Sequence, residues 1–335
     1  MNIGNELNKD ISIPIRLPHF KCVNNRIVSL KGRLFSDLPD EVDAFLACDG
    51  KKTLDKIKNR DMLKNLLDKK VIILLQKQDS ELKAKKSMRT VLILSPHVDD
   101  AVLSLGGIIA RAINRYVVLN IFSSTKYQSG LRVPEDMIID ISQKEDCLAG
   151  RYLGFESLFA GKIGAMERGS TTTQDIVQNK FSSINEDALY QEEIIQAKEL
   201  IIQKMRFIKP QIILSPLGLG GHIDHLITAC AVVRLIHEGS IDKHNVAFYE
   251  DLPYAAAFPW SIDPAEPPLV YQLDPDVPID ITDVLQDKIA ALKIYLTRVR
   301  QPQIDICTEY GKRLYKEGNH VGERLWRYRG FNHNF

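Results

Sequence analysis

The sequence predicts an α/β protein with an open, mostly parallel, Rossmann-like sheet and helices on both faces, preceded by a small N-terminal α+β domain. Segments typical of strands and helices alternate from about residue 89 onward. The apolar runs VLILS and IILSP are continuous, as in parallel strands that are buried on both faces. The first 76 residues differ, because three short helical segments precede one strand there.

Residues 1–76 are predicted to form a winged-helix-like domain. The short strand RIVSL precedes helices in SDLPDEVDAFLACDG, TLDKIKNR and DMLKNLLDKK, and the strand VIILLQ follows them. This order, with its DGK and LLDKKVI segments, is similar to that of the small peptide-recognition domains of the PqqD type. That likeness implies a peptide or protein partner, whereas a packing or dimerising appendage fits the same pattern. The polar residues 77–88 are predicted to be a linker, and residues 89–335 a second domain.

The second domain is predicted from its alternating elements. In chain order the strands are RTVLILS, YVVLNIFS, PQIILSP and NVAFYEDLP. The intervening and following helices are AVLSLGGIIARAI, QKEDCLAGRYLG, EEIIQAKELIIQKMRFI, HLITACAVVRLIHEG and VLQDKIAALKIYLTRV. Gly154 and Gly239 are predicted helix ends, because glycine readily adopts the left-handed conformation that terminates a helix.

The composition excludes several classes of protein. With 335 residues, 44% apolar and 26% charged, the chain is typical of a globular protein. A net charge of +1 provides no electrostatic argument for nucleic acid or an anionic membrane as partner. Five scattered cysteines without a CxxC pair argue against a disulfide scaffold. No apolar run approaches a membrane span, and the first residues lack the apolar core of a signal peptide, so we expect a cytoplasmic protein.

Two predicted strands end in loops that carry histidine and aspartate. VLILS continues into PHVDD, and IILSP continues into LGLGGHIDH. The polar residues of these loops are His97, Asp99, Asp100, His222, Asp224 and His225. Ligands of open α/β sheets bind at the carboxyl ends of the strands, so we expect all six residues at one edge. Imidazole and carboxylate are suitable ligands for zinc and similar divalent ions.

Each motif alone has a simpler explanation. An aspartate pair after a strand often caps the following helix, and a short HxDH turn arises by chance. The occurrence of both motifs at equivalent strand ends favours a shared metal site instead. Outside these motifs, Lys162 and Arg168 lie in a polar, glycine-containing segment that fits either a pocket loop contacting an anionic group or an ordinary surface loop.

SPHVDDAVLSLGG together with GGHIDH resembles the LmbE/PIG-L family of zinc-dependent N-deacetylases, which act mostly on N-acetylglucosaminyl conjugates and related amides. KEDCLAGRYLG, FYEDLPY and IDITDVLQDKIAALKIY extend the resemblance along the second domain. It implies an enzyme that hydrolyses an N-acyl, most often N-acetyl, amide on an amino sugar or sugar-containing metabolite, releasing acetate and an amine. It also implies that His97, Asp100 and His225 bind Zn²⁺, although Fe²⁺ suits the same ligands.

The resemblance also assigns roles to the other three residues. It implies that Asp99 is the general base, that His222 polarises the substrate carbonyl, and that Asp224 orients a neighbouring histidine. These roles agree with what amide hydrolysis needs: a nucleophile, stabilisation of charge on the carbonyl oxygen, and a proton for the leaving amine.

The chain departs from the family pattern at four positions. Val98 and Ala101 replace the proline and glutamate of the commoner PHPDDE form, and neither is an implied ligand or base. Gly220 stands where some members have a tyrosine, and Ser142 where an arginine is often found. The sequence therefore does not identify the residues that contact the sugar, and two other hypotheses on function remain. One is hydrolysis of another small amide in a biosynthetic pathway, and the other is a non-catalytic binding module.

Overall fold

A computed structural model of the chain describes residues 12–76, 88–169, 176–177, 179–257, 273–315 and 317–331. Its N-terminal part contains strands β1 (Ser12–Arg16), β2 (Phe20–Val23), β3 (Arg26–Ser29) and β4 (Leu34–Ser36), helices α1 (Pro39–Ala47) and α2 (Arg60–Asp68), and strand β5 (Ile72–Gln76). Strands β2, β3 and β4 form one small antiparallel sheet, and β1 pairs with β5.

A seven-stranded sheet forms the centre of the second part. Its strands are β6 (Thr90–Ser95), β7 (Arg115–Asn120), β8 (Phe155–Phe159), β9 (Ile212–Pro216), β10 (Val246–Tyr249), β11 (Leu273–Pro275) and β14 (Leu325–Tyr328). The short strands β12 (Ile279–Asp280) and β13 (Gly322–Glu323) form a separate two-stranded sheet. The order across the sheet is β11-β14-β10-β9-β6-β7-β8. The five strands from β10 to β8 are parallel, and β14 is antiparallel to both of its neighbours.

Two groups of helices pack against the sheet. The helices are α3 (Asp100–Ala110), α4 (Ile138–Leu153), α5 (Phe181–Glu186), α6 (Gln191–Ile208), α7 (Ile223–His237), α8 (Tyr254–Ala257), α9 (Leu285–Leu292) and α10 (Gln301–Arg313). Helices α3, α4 and α9 contact one another, and α5 and α6 both contact α7. The predicted fold class is thereby confirmed. None of the described helices combines the length and apolar character that crossing a membrane requires.

Several elements differ from the sequence prediction. The helix expected in TLDKIKNR is only a 3-10 turn at Leu54–Lys56. The sequence also did not predict the strands β1, β2, β4, β8 and β11 to β14 or the helices α5, α8 and α10. Strand β1 is explained by pairing, since it bonds to β5 about sixty residues further along. The late helix ends at Leu292 rather than near residue 299. The segment that was expected to continue the helix forms hydrogen bonds with another loop instead, since the Thr297 carbonyl accepts the N–H groups of Ser129 and Gly130.

A buried histidine joins the N-terminal part to helix α4. His19 Nε2 lies 2.7 Å from Glu145 Oε1, and both side chains are fully buried. The same carboxylate oxygen accepts the Thr297 N–H at 2.8 Å, and the other accepts the Thr297 hydroxyl. One carboxylate therefore ties three distant segments together. The predicted boundary between two domains stays a prediction, and residues 77–87 of the predicted linker lie outside the described residues.

Replacing Glu145 with alanine is expected to lower the free energy of unfolding by about 3 kcal/mol, because it leaves His19 and the Thr297 N–H buried without their acceptor. Urea unfolding followed by circular dichroism measures the change. Lys144→Ala on the same helix is the control, since that residue forms only an exposed pair with Asp140. Equal effects of the two substitutions would show that the buried pair contributes nothing particular.

Candidate active site

The two histidine–aspartate loops meet at one edge of the sheet. Strands β6 and β9 are parallel neighbours, with Val91 opposite Ile212, so their carboxyl ends lie side by side. The loop after β6 leads into α3 and the loop after β9 into α7. The structure brings together all six residues named from the sequence. Two overlapping groups of three residues place their potential metal-binding atoms within 4.8 Å of one another. One group is His97, Asp100 and His225, and the other is His97, His222 and Asp224.

Asp100 lies between two histidines. Its Oδ2 is 3.0 Å from His97 Nδ1 and 3.1 Å from His225 Nε2, and it also accepts the His97 N–H at 2.8 Å. His225 Nε2 is buried, and despite its closeness to Asp100 Oδ2 it is not aligned to form a hydrogen bond with that oxygen or with any other described residue. A buried ring nitrogen without a partner, facing a carboxylate and a second imidazole, fits a divalent metal ion as its missing neighbour. The donor set therefore suits such an ion.

A second carboxylate supports each of these histidines from behind. Asp224 Oδ2 is 3.0 Å from His97 Nε2, and Asp251 Oδ1 is 2.6 Å from His225 Nδ1. The other oxygen of Asp251 accepts the backbone N–H groups of Gly218 and Leu219, at 2.8 and 2.9 Å. Such carboxylates fix the ring orientation and tautomer of metal-binding histidines. They leave His97 Nδ1 and His225 Nε2 as the nitrogens that face Asp100.

Arg168 forms an ion pair with Asp224, the carboxylate that also contacts His97. Its Nη2 donates to Asp224 Oδ1 at 2.6 Å, and the Ala165 N–H donates to Asp224 Oδ2 at 2.9 Å. The guanidinium also lies over the Phe122 ring, 4.9 Å from its centroid. Of the two sequence alternatives for this segment, the structure favours a pocket loop. The anionic group that Arg168 contacts belongs to the protein itself.

The charges of the site shift the ionisation of its histidines. Burial by itself would lower the pKa of His97, but Asp100 and Asp224 outweigh it and raise the pKa to about 9. Burial likewise opposes protonation of His225, and Asp100 and Asp251 raise its pKa to about 10. Burial would raise the pKa of Asp100, but the two histidines hold it well below its usual value. The pocket therefore stabilises positive charge between its carboxylates, whether on protons or on a cation.

Asp99 occupies the N-cap position of α3 without capping it, because its side chain makes no hydrogen bond to the helix N-terminus. The structure therefore does not support the simpler explanation that Asp99 serves as a helix cap. Burial raises the pKa of Asp99, and the positive charge of Arg298 opposes that rise. Arg298 is itself 2% exposed, and its Nε and Nη2 have no hydrogen-bond partner within the described part of the chain. Asp99 thus has a carboxylate available beside the histidines, with a guanidinium within electrostatic reach.

The surroundings of His222 favour its neutral form. Burial lowers its pKa well below the usual value, and the charges of His97 and His225 lower it further. Its Nδ1 accepts the Asp224 N–H at 3.2 Å. A neutral imidazole that accepts at Nδ1 carries its hydrogen on Nε2. His222 can therefore offer an N–H donor to a ligand.

The model of one protein family, described as GlcNAc-PI de-N-acetylase (PIG-L), matches residues 92–236, which include both histidine–aspartate loops. This stretch of the chain is therefore similar to the PIG-L family. Both the resemblance seen in the sequence and the prediction of an enzyme of the N-deacetylase class are confirmed. The chain is also 27% identical over 225 residues to the 2'-N-acetylparomamine deacetylase of Streptomyces fradiae, covering 65% of this chain and 76% of that protein.

Solved structures share the fold of the PIG-L domain. A deacetylase of teicoplanin biosynthesis, solved in complex with teicoplanin, has a TM-score of 0.57 and 21% identity and covers 71% of this chain and 97% of its own. The A40926 pseudoaglycone deacetylase has a TM-score of 0.52 and 21% identity and covers 74% of this chain and 100% of its own. At this level of identity the comparison establishes the architecture alone.

The departures from the PIG-L pattern have structural settings. Ser142 is buried in α4, where its hydroxyl donates to the Ile139 carbonyl at 3.0 Å. Ala101 is also buried, and its N–H donates to Ser95 Oγ at 3.2 Å. Both residues are therefore held by hydrogen bonds within the fold. Asp251 lies within FYEDLPY, and its likeness to a family segment was the only signal in the sequence that pointed to it.

Replacing Asp251 with asparagine is expected to weaken metal binding by roughly 10- to 100-fold, because His225 loses the carboxylate that orients its ring. Competition with a chromophoric chelator measures the dissociation constant for Zn²⁺. Asp283→Asn is the control, since that side chain is 65% exposed. Unchanged affinity in Asp251→Asn would show that Asp251 does not support the ligand.

Proposed function

We propose that the protein is a metal-dependent N-deacetylase that removes acetate from an acetylated amino sugar or a small sugar conjugate and releases the free amine. One observation carries the proposal: His97 Nδ1, Asp100 Oδ2 and His225 Nε2 converge in a buried pocket in which Nε2 lacks a partner. Two imidazoles and one carboxylate form a ligand set typical of catalytic zinc, with further positions left open.

A divalent ion bound by these three residues supplies Lewis acidity, which polarises an amide carbonyl and lowers the pKa of water. The side chain of Asp99 is proposed to accept the proton of the attacking water and to deliver it to the leaving amine. Its placement supports this role, because Asp99 directly precedes the ligand Asp100 and its carboxylate does not cap α3. Burial raises the pKa of Asp99, which strengthens its carboxylate as a proton acceptor, and the positive charge of Arg298 opposes that rise and so favours the ionised form.

His222 is proposed to stabilise the carbonyl oxygen as it becomes negative. Its ring centroid is 4.9 Å from that of His97 and 5.0 Å from that of His225, so it borders the ligand cluster. The hydrogen on Nε2 makes it a donor without a net charge. Asp224 is proposed to hold His97 in orientation, which agrees with its contact to His97 Nε2.

The substrate class rests on the relatives. The Streptomyces fradiae protein is a 2'-N-acetylparomamine deacetylase, and the matching family is described as GlcNAc-PI de-N-acetylase. We therefore propose a small molecule with an acetamido group on a sugar ring as the substrate. The N-terminal part is proposed to be a separate domain with a peptide or protein partner.

Acetate release tests the proposal. Purified protein is reconstituted with Zn²⁺ or Fe²⁺, its metal content is measured, and it is incubated with 2'-N-acetylparomamine or N-acetylglucosamine. We expect about one metal ion per chain and release of equal amounts of acetate and amine. Turnover that yields another carboxylic acid by mass spectrometry would favour a different amide as substrate. A protein that takes up no metal would instead favour a non-catalytic binding module.

A further inference from the structure

We propose that Tyr254 is a catalytic residue whose hydroxyl donates a hydrogen bond to the substrate carbonyl oxygen, beside the donor of His222. The inference rests on the proposed function, because it names the second donor for the same oxygen. It was not predicted from the two histidine–aspartate motifs, since Tyr254 lies in a third segment of the chain.

The Tyr254 ring lies against two site histidines. Its centroid is 5.4 Å from that of His222 and 5.1 Å from that of His225. The residue begins the short helix α8, and the Ala255 N–H donates to the Asp251 carbonyl at 2.7 Å. Asp251 in turn holds His225 through its carboxylate. Tyr254 is therefore positioned by the same turn that orients a proposed metal ligand.

Gly220 makes room for this ring. A Cβ at position 220 would lie 2.4 Å from Tyr254 Cβ, closer than side chains approach, and the φ of +82° also favours glycine there. The loop that carries His222 thus passes directly beneath Tyr254. A tyrosine at position 220 is excluded by this contact, and the aromatic side chain over the pocket comes from position 254 instead.

The Tyr254 hydroxyl is available to a ligand. The residue is only partly buried, and within the described ranges its hydroxyl has no hydrogen-bond partner. Two fully buried tyrosines of the core differ, because Tyr249 donates to Leu94 O and Tyr295 to Asp146 Oδ1. A neutral phenol carries one O–H that it can donate to a ligand.

The chemistry requires a donor at this place. Attack of water on an amide carbon converts the carbonyl into a tetrahedral centre, and the oxygen gains negative charge while its bond order falls. Two neutral donors, His222 Nε2 and Tyr254 Oη, would stabilise that charge by hydrogen bonds. No proton leaves either residue, and the proton of the water goes to Asp99 and then to the amine.

Tyr254→Phe tests the inference, because it removes the hydroxyl and retains the ring. We expect kcat for acetate release to fall about 100-fold, the loss typical of one oxyanion donor, while KM changes little. The metal content and thermal midpoint are expected to stay as in the wild type. Tyr315→Phe is the matched control, since its hydroxyl donates to the Pro278 carbonyl in another part of the fold.

A tetrahedral mimic provides a second readout. Binding of a methylphosphonamidate analogue of the acetamido substrate is measured by calorimetry, and we expect Tyr254→Phe to weaken it far more than it raises KM. An active wild type with an unchanged kcat in Tyr254→Phe would overturn this inference alone. A metal-loaded wild type that hydrolyses none of the acetylated sugars would overturn the proposed function, and the inference with it.

Discussion

Replacing Asp99 with asparagine is expected to lower kcat by about a thousandfold while the protein keeps its metal. The substitution preserves shape but removes the base that accepts the water proton, and general-base catalysis contributes roughly 100- to 10,000-fold. Asp99 donates no atom to the convergent set of His97, Asp100 and His225. Steady-state acetate release and metal analysis of the same preparation measure both parts of the expectation.

Asp140→Asn is the control for this substitution, since Asp140 forms only an exposed pair with Lys144 on the surface of α4. A variant Asp99→Asn that turned over at the wild-type rate would exclude Asp99 as the base. Loss of the metal from that variant would instead identify Asp99 as a ligand and require a different assignment of the two adjacent aspartates.

Replacing His225 with alanine is expected to abolish stoichiometric metal binding and with it all measurable acetate release. The substitution removes Nε2, the buried nitrogen without a hydrogen-bond partner among the described residues, and leaves two ligands where catalytic zinc usually has three. Mass spectrometry of bound metal after dialysis measures the occupancy. Treating the wild type with a chelator is expected to give the same loss, which added Zn²⁺ or Fe²⁺ restores.

The matched control is His237→Ala, because His237 is an exposed residue at the end of the same helix, α7. Its metal content and turnover are expected to equal those of the wild type. Full activity in His225→Ala, or full activity after complete removal of metal, would contradict the proposed mechanism. Reconstitution with each ion separately then shows which metal supports the faster reaction.

Much of the fold could be predicted because its signals are local. Strands β6 and β9 are continuous apolar runs, and α6 carries buried residues at helical spacing: Ile194, Ala197 and Ile201. Helix α4 ends at Gly154, which has a φ of +92°, as the sequence indicated. Strand β1 and the end of the late helix were missed because partners distant in the sequence decide them.

The residues of the candidate site likewise include some that could be predicted from local motifs and some that could not. The six residues of the two motifs could be named because each motif lies within a few positions after a predicted strand, and parallel neighbours bring such ends together. Asp251 contacts His225 from a segment 26 residues further along, and the charge of Arg298 acts on Asp99 from nearly two hundred residues further along. Contacts of this kind leave no periodic pattern in the chain, so the sequence offered no physical reason to select either residue.

The sequence by itself determined the α/β class, the resemblance to the PIG-L family and the two histidine–aspartate loops, because hydrophobic period and short motifs are properties of neighbouring residues. Only the tertiary structure decided which nitrogen of each histidine faces Asp100, since Asp224 and Asp251 occupy the opposite sides of the rings. It also decided that Tyr254 fills the space above Gly220. Ring orientation and excluded volume depend on atoms that meet only when the chain is folded.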